Sequence, residues 1–322
     1  MNNKVELYRP FDESKSFLLR EYDEFDNDDL DGSADKQFYL ADSDSFEAIF
    51  DHKKNKSYVT YIDALILCGD KLEQISVMKK KSYDYSVIYN ETVCSRLLNY
   101  FDIPTVYNDV ACEVFPDKQA AYSTLSVDFM KAGDKYYSLA EAGYKKLNPY
   151  SSLSDWLQIL DRVVDDYAFK APANKYLIQK EAIEQNREEI KKDFVNMFLY
   201  KKVFLNDADF YNRNIGIIEN ADGIHLAPAF DMEHTLTSRG DNDLKLRELQ
   251  DCYALYPQLT DNFVKNINKL VNQSDLDTIL TESIANPIFA RDIGNTIEYY
   301  VNNIDMLYMD VNPSIVEEEL MN

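Results

Sequence analysis

The chain has 322 residues, enough for one large domain or two lobes of about 100–200 residues each. Hydrophobic residues make up 45% and aromatics 13%, so a sizeable packed core can form. A formal charge of −23 repels nucleic-acid phosphates and anionic lipid surfaces, which excludes binding through a broad basic face and leaves a basic protein partner compatible.

No apolar run reaches the roughly 18 residues that a membrane span needs. The polar start MNNKVELYRPFDESK lacks the apolar centre of a signal peptide. The expectation is a cytoplasmic protein with no membrane association, with secretion by a route without a cleaved signal left open. Cys68, Cys94, Cys112 and Cys252 are widely spaced and read as free thiols of a reducing compartment. Three His without metal-ligand spacing argue against zinc.

Residues 1–45 are acidic and poorly periodic, and read as a solvated arm or an edge element of a first lobe. Within them NDDLDG begins like a calcium loop, but Phe38 stands where the closing bidentate Glu is needed, so that loop is rejected. SYVTYIDALILCGDKLEQISVMKKK, residues 57–81, places β-forming runs on either side of the turn sequence CGDK. DYSVIYNETVCSRLLNYFDI then reads as a helix, with Val87, Val93, Cys94, Leu97 and Leu98 on one face and Pro104 just beyond its end. VYNDVACEVF and AAYSTLSVDFM read as two further strands.

After KAGDKYYSL the pattern turns mostly helical. SLSDWLQILDRVVDDYAF opens on a cap at Ser152 or Ser154. KEAIEQNREEIKKDFVNMFLYKKVFL is charged in its first half and apolar in its second. Beyond residue 245, DNFVKNINKLVN, DLDTILTESIA and IGNTIEYYVNNIDMLY are helical again. The expected fold is therefore α+β. Residues 1–130 form a small β-rich N-terminal lobe that includes the acidic segment 1–45. Residues 131–322 form a larger, mostly α-helical lobe, and a connector lies near 128–140.

The stretch FLNDADFYNRNIGIIENADGIHLAPAFDMEH, residues 204–234, carries the chemistry. Asp209 and Asn214 have D-x-x-x-x-N spacing. A loop so spaced can aim a carboxylate at a nucleophile's proton while the amide oxygen coordinates a divalent cation. NIGII and IHLAPAF read as hairpin strands around ENADG, and Asp231 follows as a second metal ligand. Mg²⁺ takes oxygen ligands and keeps several waters, so one Asn and one Asp beside nucleotide phosphates suffice. The spacing alone is a weak signal; the triple pattern around a hairpin is stronger. The alternative is a surface hairpin whose Asp and Asn side chains bond to nearby backbone. Asp207 is the rival to Asp209, with bracing of the loop backbone as its other role.

Phosphoryl transfer also needs a strand Lys paired with a helix Glu. EQISVMKKK ends in Lys79, Lys80 and Lys81, and Glu91 comes early in the following helix. Lys79 shares a strand face with Ile75 and Val77 and is preferred over Lys80, which takes the opposite face.

These segments resemble the HipA-like family of Ser/Thr kinases, including its compact CtkA-type members. DADFYNRN is similar to the family's catalytic loop D-x-H-x-K-N, and LAPAFDM to its metal segment. SVIYNETVCSRLLNYFDIPTVYNDV is similar to the stretch in which an N-E pair opens a helix. The resemblance spans roughly residues 57–310. It implies a bilobal protein-kinase-like fold and ATP- and Mg-dependent phosphorylation of a protein Ser or Thr. Asp209 would be the catalytic base, Asn214 and Asp231 the metal ligands, and Lys79 the phosphate lysine paired with Glu91. Arg213 stands where the family has Lys and would meet the γ-phosphate, as a guanidinium can. At the connector TLSVDFM, Asp128, Phe129 and Met130 are the adenine-side candidates, although Phe129 and Met130 read equally as core residues.

The chain departs from the family in two further places. Tyr211 replaces the usual His, so the loop must be supported differently. The expected phosphate cover DHKKNKSYV has no glycine, so either Lys54, Lys56 and Ser57 serve there or the cover is weak. A protein kinase with an unidentified protein substrate, a small-molecule or lipid phosphotransferase, and a catalytically silent kinase-like binding module all remain open. The oligomeric state is open too.

Overall fold

Short runs that alternate polar and apolar residues, such as KVELYR, or that gather aromatic ones, such as KQFYLA, favour extended backbone, and they become strands here. The computed structural model describes residues 4–9, 12–21, 36–41, 75–81, 85–106, 108–114, 120–127, 129, 134–141, 147–170, 173–221, 223–236, 241–272, 275–284 and 287–312. Lys54, Lys56, Ser57, Asp128, Met130 and the β-forming run before CGDK lie outside the described residues.

The chain divides into two units. One comprises Met1–Ala132, Asp231–Glu233 and Ile279–Ala290; the other comprises Gly133–Phe230, His234–Thr278 and Arg291–Asn322.

In the first unit six antiparallel strands close on themselves in the order β1-β2-β3-β4-β6-β5. They are β1 (Lys4–Arg9), β2 (Asp12–Glu21), β3 (Lys36–Ala41), β4 (Ile75–Lys81), β5 (Asn108–Val114) and β6 (Ala120–Val127). The pairing of Tyr8 with Cys112 joins β1 to β5. Of the two readings of residues 1–45, a solvated arm or an element of the first lobe, the strands β1, β2 and β3 agree with the second, since strand formation depends on side-chain pattern and pairing partners more than on net charge.

Helix α1 (Tyr85–Tyr100) packs against β5 and β6. Val93, Cys94, Leu97 and Leu98 are buried as the periodicity predicts. So are Glu91, Ser95, Arg96 and Asn99, so the helix is enclosed well beyond its apolar stripe. Hydrogen bonds make that burial tolerable: Ser95 Oγ donates to the Val106 carbonyl at 2.7 Å, and Arg96 donates to Ser283 Oγ at 3.1 Å. The helix ends in a Schellman motif. Asp102 sits at φ 59°, its N–H bonds the Asn99 carbonyl, and the Ile103 N–H bonds the Leu98 carbonyl.

The second unit is mostly helical. Helix α2 (Leu153–Lys170) packs against α3 (Ala173–Met197). Ser152 is its cap: Ser152 Oγ accepts from the Asp155 N–H, and Asp155 Oδ2 accepts from the Ser152 N–H, a reciprocal capping box. Helices α4 (Asn242–Leu255), α5 (Pro257–Asn272), α6 (Asp275–Ser283) and α7 (Pro287–Val311) follow. A three-stranded antiparallel sheet of β7 (Lys135–Ser138), β8 (Gly216–Asn220) and β9 (Gly223–Leu226) completes the set. Strands β8 and β9 are the hairpin read from the sequence, turning at Asn220 and Gly223 with Gly223 at φ 134°. Trp156, Phe194, Phe198 and Phe210 form the aromatic centre of the unit, with ring centroids 5.3–6.2 Å apart.

Candidate active site

Helix α3 does not stop at the apolar end of its sequence. It passes into a π-helical turn, Phe198–Phe204, whose seven residues are all buried. Such turns shift the register of a helix by one residue and occur often at functional sites. Here the turn carries Lys201 and Lys202 into the interior, beside Asp207 and Glu248 respectively. The chain then leaves the helix through Asn206, at φ 55°, into the loop that bears Asp209.

That loop is held from below by its own side chains. Phe210 is buried in the aromatic centre. Asp207, fully buried, accepts the Asp209 N–H at 2.9 Å. The Tyr211 N–H bonds the Asp209 carbonyl at 2.8 Å, and the Asn214 N–H bonds the Tyr211 carbonyl at 2.9 Å within a 3₁₀ turn. Tyr211 places its ring 5.2 Å from the Arg213 guanidinium, within cation–π distance.

The structure brings Asp209, Arg213 and Asn214 together. Arg213 Nη2 bonds both Asp209 carboxylate oxygens, at 2.8 and 3.0 Å. Asn214 Nδ2 donates to the Asp209 carbonyl and to its Oδ2, both at 2.9 Å. These two acceptors fix which way the amide points, because only the NH₂ can face them. Asn214 Oδ1 is therefore turned away from Asp209, a neutral oxygen of the kind a hard divalent cation takes. Among the described residues no group of three or more His, Cys, Asp or Glu side chains could hold a metal ion, so this single oxygen is what the residue itself could offer to one.

The stretch containing Asp231 is bracketed from both sides. The Ala208 N–H bonds the His234 carbonyl at 3.3 Å, and the Leu236 N–H bonds the Leu205 carbonyl at 2.9 Å. On the other side Lys201 Nζ donates to the Phe230 carbonyl at 2.5 Å. Asp231 and Leu236 both stand at positive φ, 54° and 56°, a conformation that costs energy for non-glycine residues and persists only where surroundings enforce it.

Burial raises the Asp207 carboxyl above the usual carboxylate range, and the Lys201 ammonium opposes that rise. Lys201 Nζ lies 3.4 Å from Asp207 Oδ2, an ion pair. Sequence reading missed Lys201. The only hint was two lysines inside the apolar run FLYKKVFL, and a π-helical register is not visible in a periodicity.

In the first unit, Lys79 lies on β4, paired with Gln37 of β3 and Leu125 of β6. Glu91 is buried on α1. Phe129 is partly exposed just after β6.

No family model matches the chain, and no curated protein matches it in sequence. Solved structures do resemble it in fold. The Helicobacter pylori proinflammatory kinase CtkA is 13% identical, over 74% of this chain and 90% of its own, at a TM-score of 0.47. Shewanella oneidensis HipA, from a toxin–antitoxin complex with HipB and operator DNA, is 12% identical over 71% of this chain and 58% of its own, at 0.46. Hydra Fam20 with sugar is 11% identical over 88% and 84%, at 0.42. Among the described residues no helix is long and apolar enough to cross a membrane.

Proposed function

We propose that the chain is an ATP- and Mg-dependent kinase acting on Ser or Thr of a protein substrate. The observation that supports it most is the Asp209 carboxylate, fixed by Asn214 and Arg213 on a backbone anchored by Asp207. Asp209 is the base that accepts the proton of the incoming hydroxyl. Asn214 Oδ1 and the Asp231 carboxylate are the metal ligands. Bound Mg²⁺ would neutralise charge on the nucleotide phosphates. Lys79, set by Glu91, would take a phosphate from the first unit, with Lys56 and Ser57 at the phosphate cover and Asp128, Phe129 and Met130 at the adenine.

Arg213 has two successive partners in this scheme. Without nucleotide its guanidinium occupies the lone pairs that Asp209 needs for proton transfer. A γ-phosphate carries more charge than a carboxylate and draws the guanidinium across, which frees the base. The acidic surface favours a basic protein substrate.

The test is transfer of labelled phosphate from ATP, with Mg²⁺, to the chain itself and to a panel of basic proteins. Aminoglycosides and inositol lipids serve as the small-molecule arms. Asp209→Ala is expected to bind ATP–Mg²⁺ nearly as the native chain does and to turn over at most about one-hundredth as fast. Unchanged turnover in that variant would remove Asp209 from the chemistry.

A further inference from the structure

Lys201 and Asp207 are closed off from solvent, with side-chain exposures of 1% and 0%. They are also joined through the backbone, because the Asp207 N–H donates to the Lys201 carbonyl at 3.2 Å. Two bonds leave this small ring. Asp207 Oδ1 accepts the N–H of Asp209 at 2.9 Å, and Lys201 Nζ donates to the carbonyl of Phe230, the residue before Asp231, at 2.5 Å. One buried ammonium therefore touches both the brace under the base and the chain leading into the metal segment.

Stability alone gives little reason for such a pair. A buried ion pair is often replaced by well-packed apolar residues with no loss, since desolvation offsets the attraction. An apolar pair would, however, leave the Asp209 N–H and the Phe230 carbonyl without these partners, and the two segments would lose their common anchor. The π-helical turn is what points Lys201 at both.

We infer that Lys201 is a positioning residue, acting with Asp207 to set the Asp209 backbone and the approach to Asp231 from one shared charge. The inference rests on the kinase reading for its catalytic consequence, but its structural half can be read without any turnover.

Three full-length proteins decide it: the native chain, Lys201→Met, and Lys201→Met/Asp207→Asn. The double variant removes both charges, so it keeps a folded protein available, and the amide oxygen introduced by Asp207→Asn can still accept from the Asp209 N–H. Hydrogen exchange is followed over residues 205–211 and 227–236, with the α2 amides as internal reference. Exchange in 227–236 is expected to quicken at least about tenfold in both variants while the α2 amides hold their rate. With ATP and Mg²⁺, kcat is expected to fall about 10²-fold with the KM for ATP within about threefold. The double variant should recover thermal stability without recovering kcat. Native turnover in a stable double variant, or unchanged exchange in 227–236, overturns the inference. If the native chain transfers no phosphate but the local exchange responds as expected, the kinase reading falls and the positioning role stands.

Discussion

At the scale of single residues, the Asp209 carboxylate is held by a charged donor and a neutral one that do different work. Asn214 is mostly buried and fixes the orientation of the carboxylate; Arg213 is 65% exposed and can leave. An exposed ion pair contributes only about 0–1 kcal/mol, so Arg213→Ala should leave the thermal midpoint almost unmoved. Under the proposed function its effect belongs to the transition state, where loss of one charge-stabilising donor costs about 10²–10³-fold in kcat. Steady-state kinetics beside a melting curve checks both halves. A variant with native kcat would confine Arg213 to the resting contact with Asp209.

At the scale of elements, the sheet of the second unit depends on one absence of a side chain. A Cβ built on Gly216 would stand 2.1 Å from the Tyr136 ring, across the β7–β8 pair. That ring also meets Phe230 edge-on, with centroids 6.1 Å apart, so it cannot swing away without disturbing the residue Lys201 grips. Gly216→Ala is expected to cost about 1–3 kcal/mol in urea unfolding. Adding Tyr136→Ala should make the double variant less destabilised than the sum of the two single changes, because the clash is then gone. Additive losses would mean that the ring is not what excludes a side chain at position 216.

At the scale of the whole chain, buried charge ties stability to pH. Lys202, Lys245 and Glu248 are all buried, and the Lys245 ammonium stands 4.1 Å from the centre of the Tyr300 ring. Burial pushes Glu248 from 4.5 up to about 7, against the pull of Lys202, Lys245 and Arg247. Burial likewise brings Lys245 from 10.5 down to about 8, against the pull of Glu248. The unfolded chain releases the Glu248 proton from about pH 4.5, whereas the folded chain keeps it to about pH 7. The contribution of Glu248 is thus fully present below pH 4.5 and is lost as pH rises through 7. For Lys245 the sign reverses, and stability returns as pH rises from about 8 to 10.5. Urea unfolding between pH 5 and 7.5 should show the native chain losing on the order of 1–3 kcal/mol more than Glu248→Gln does. Parallel pH profiles would place Glu248 in a wetter setting.

Sequence alone determined the features whose signal is local. The order of Asp209, Asn214, a hairpin and Asp231 is a matter of spacing. The apolar positions of α1 and the Ser152 cap are matters of period and of one side chain meeting nearby backbone. Asp207 was weighed as a brace on the same grounds and is found bonding the Asp209 N–H. Tertiary structure decided the rest. Of the strands between residues 4 and 41, β1 and β2 pair with each other as neighbours, but β1 also meets β5 and β3 meets β4, partners far along the chain that no local composition announces. Helix α4, whose Asp241 cap accepts from two backbone N–H groups, has too little periodicity to stand out by itself. Strand β7 lies in what reads as a connector and forms because β8 pairs with it. The orientation of the Asn214 amide, the contact of Arg213 with Asp209, and the reach of Lys201 to Phe230 all follow from where separate segments are packed. Spacing along a chain can nominate side chains for a site; only the packed backbone decides which lone pairs and which protons face one another.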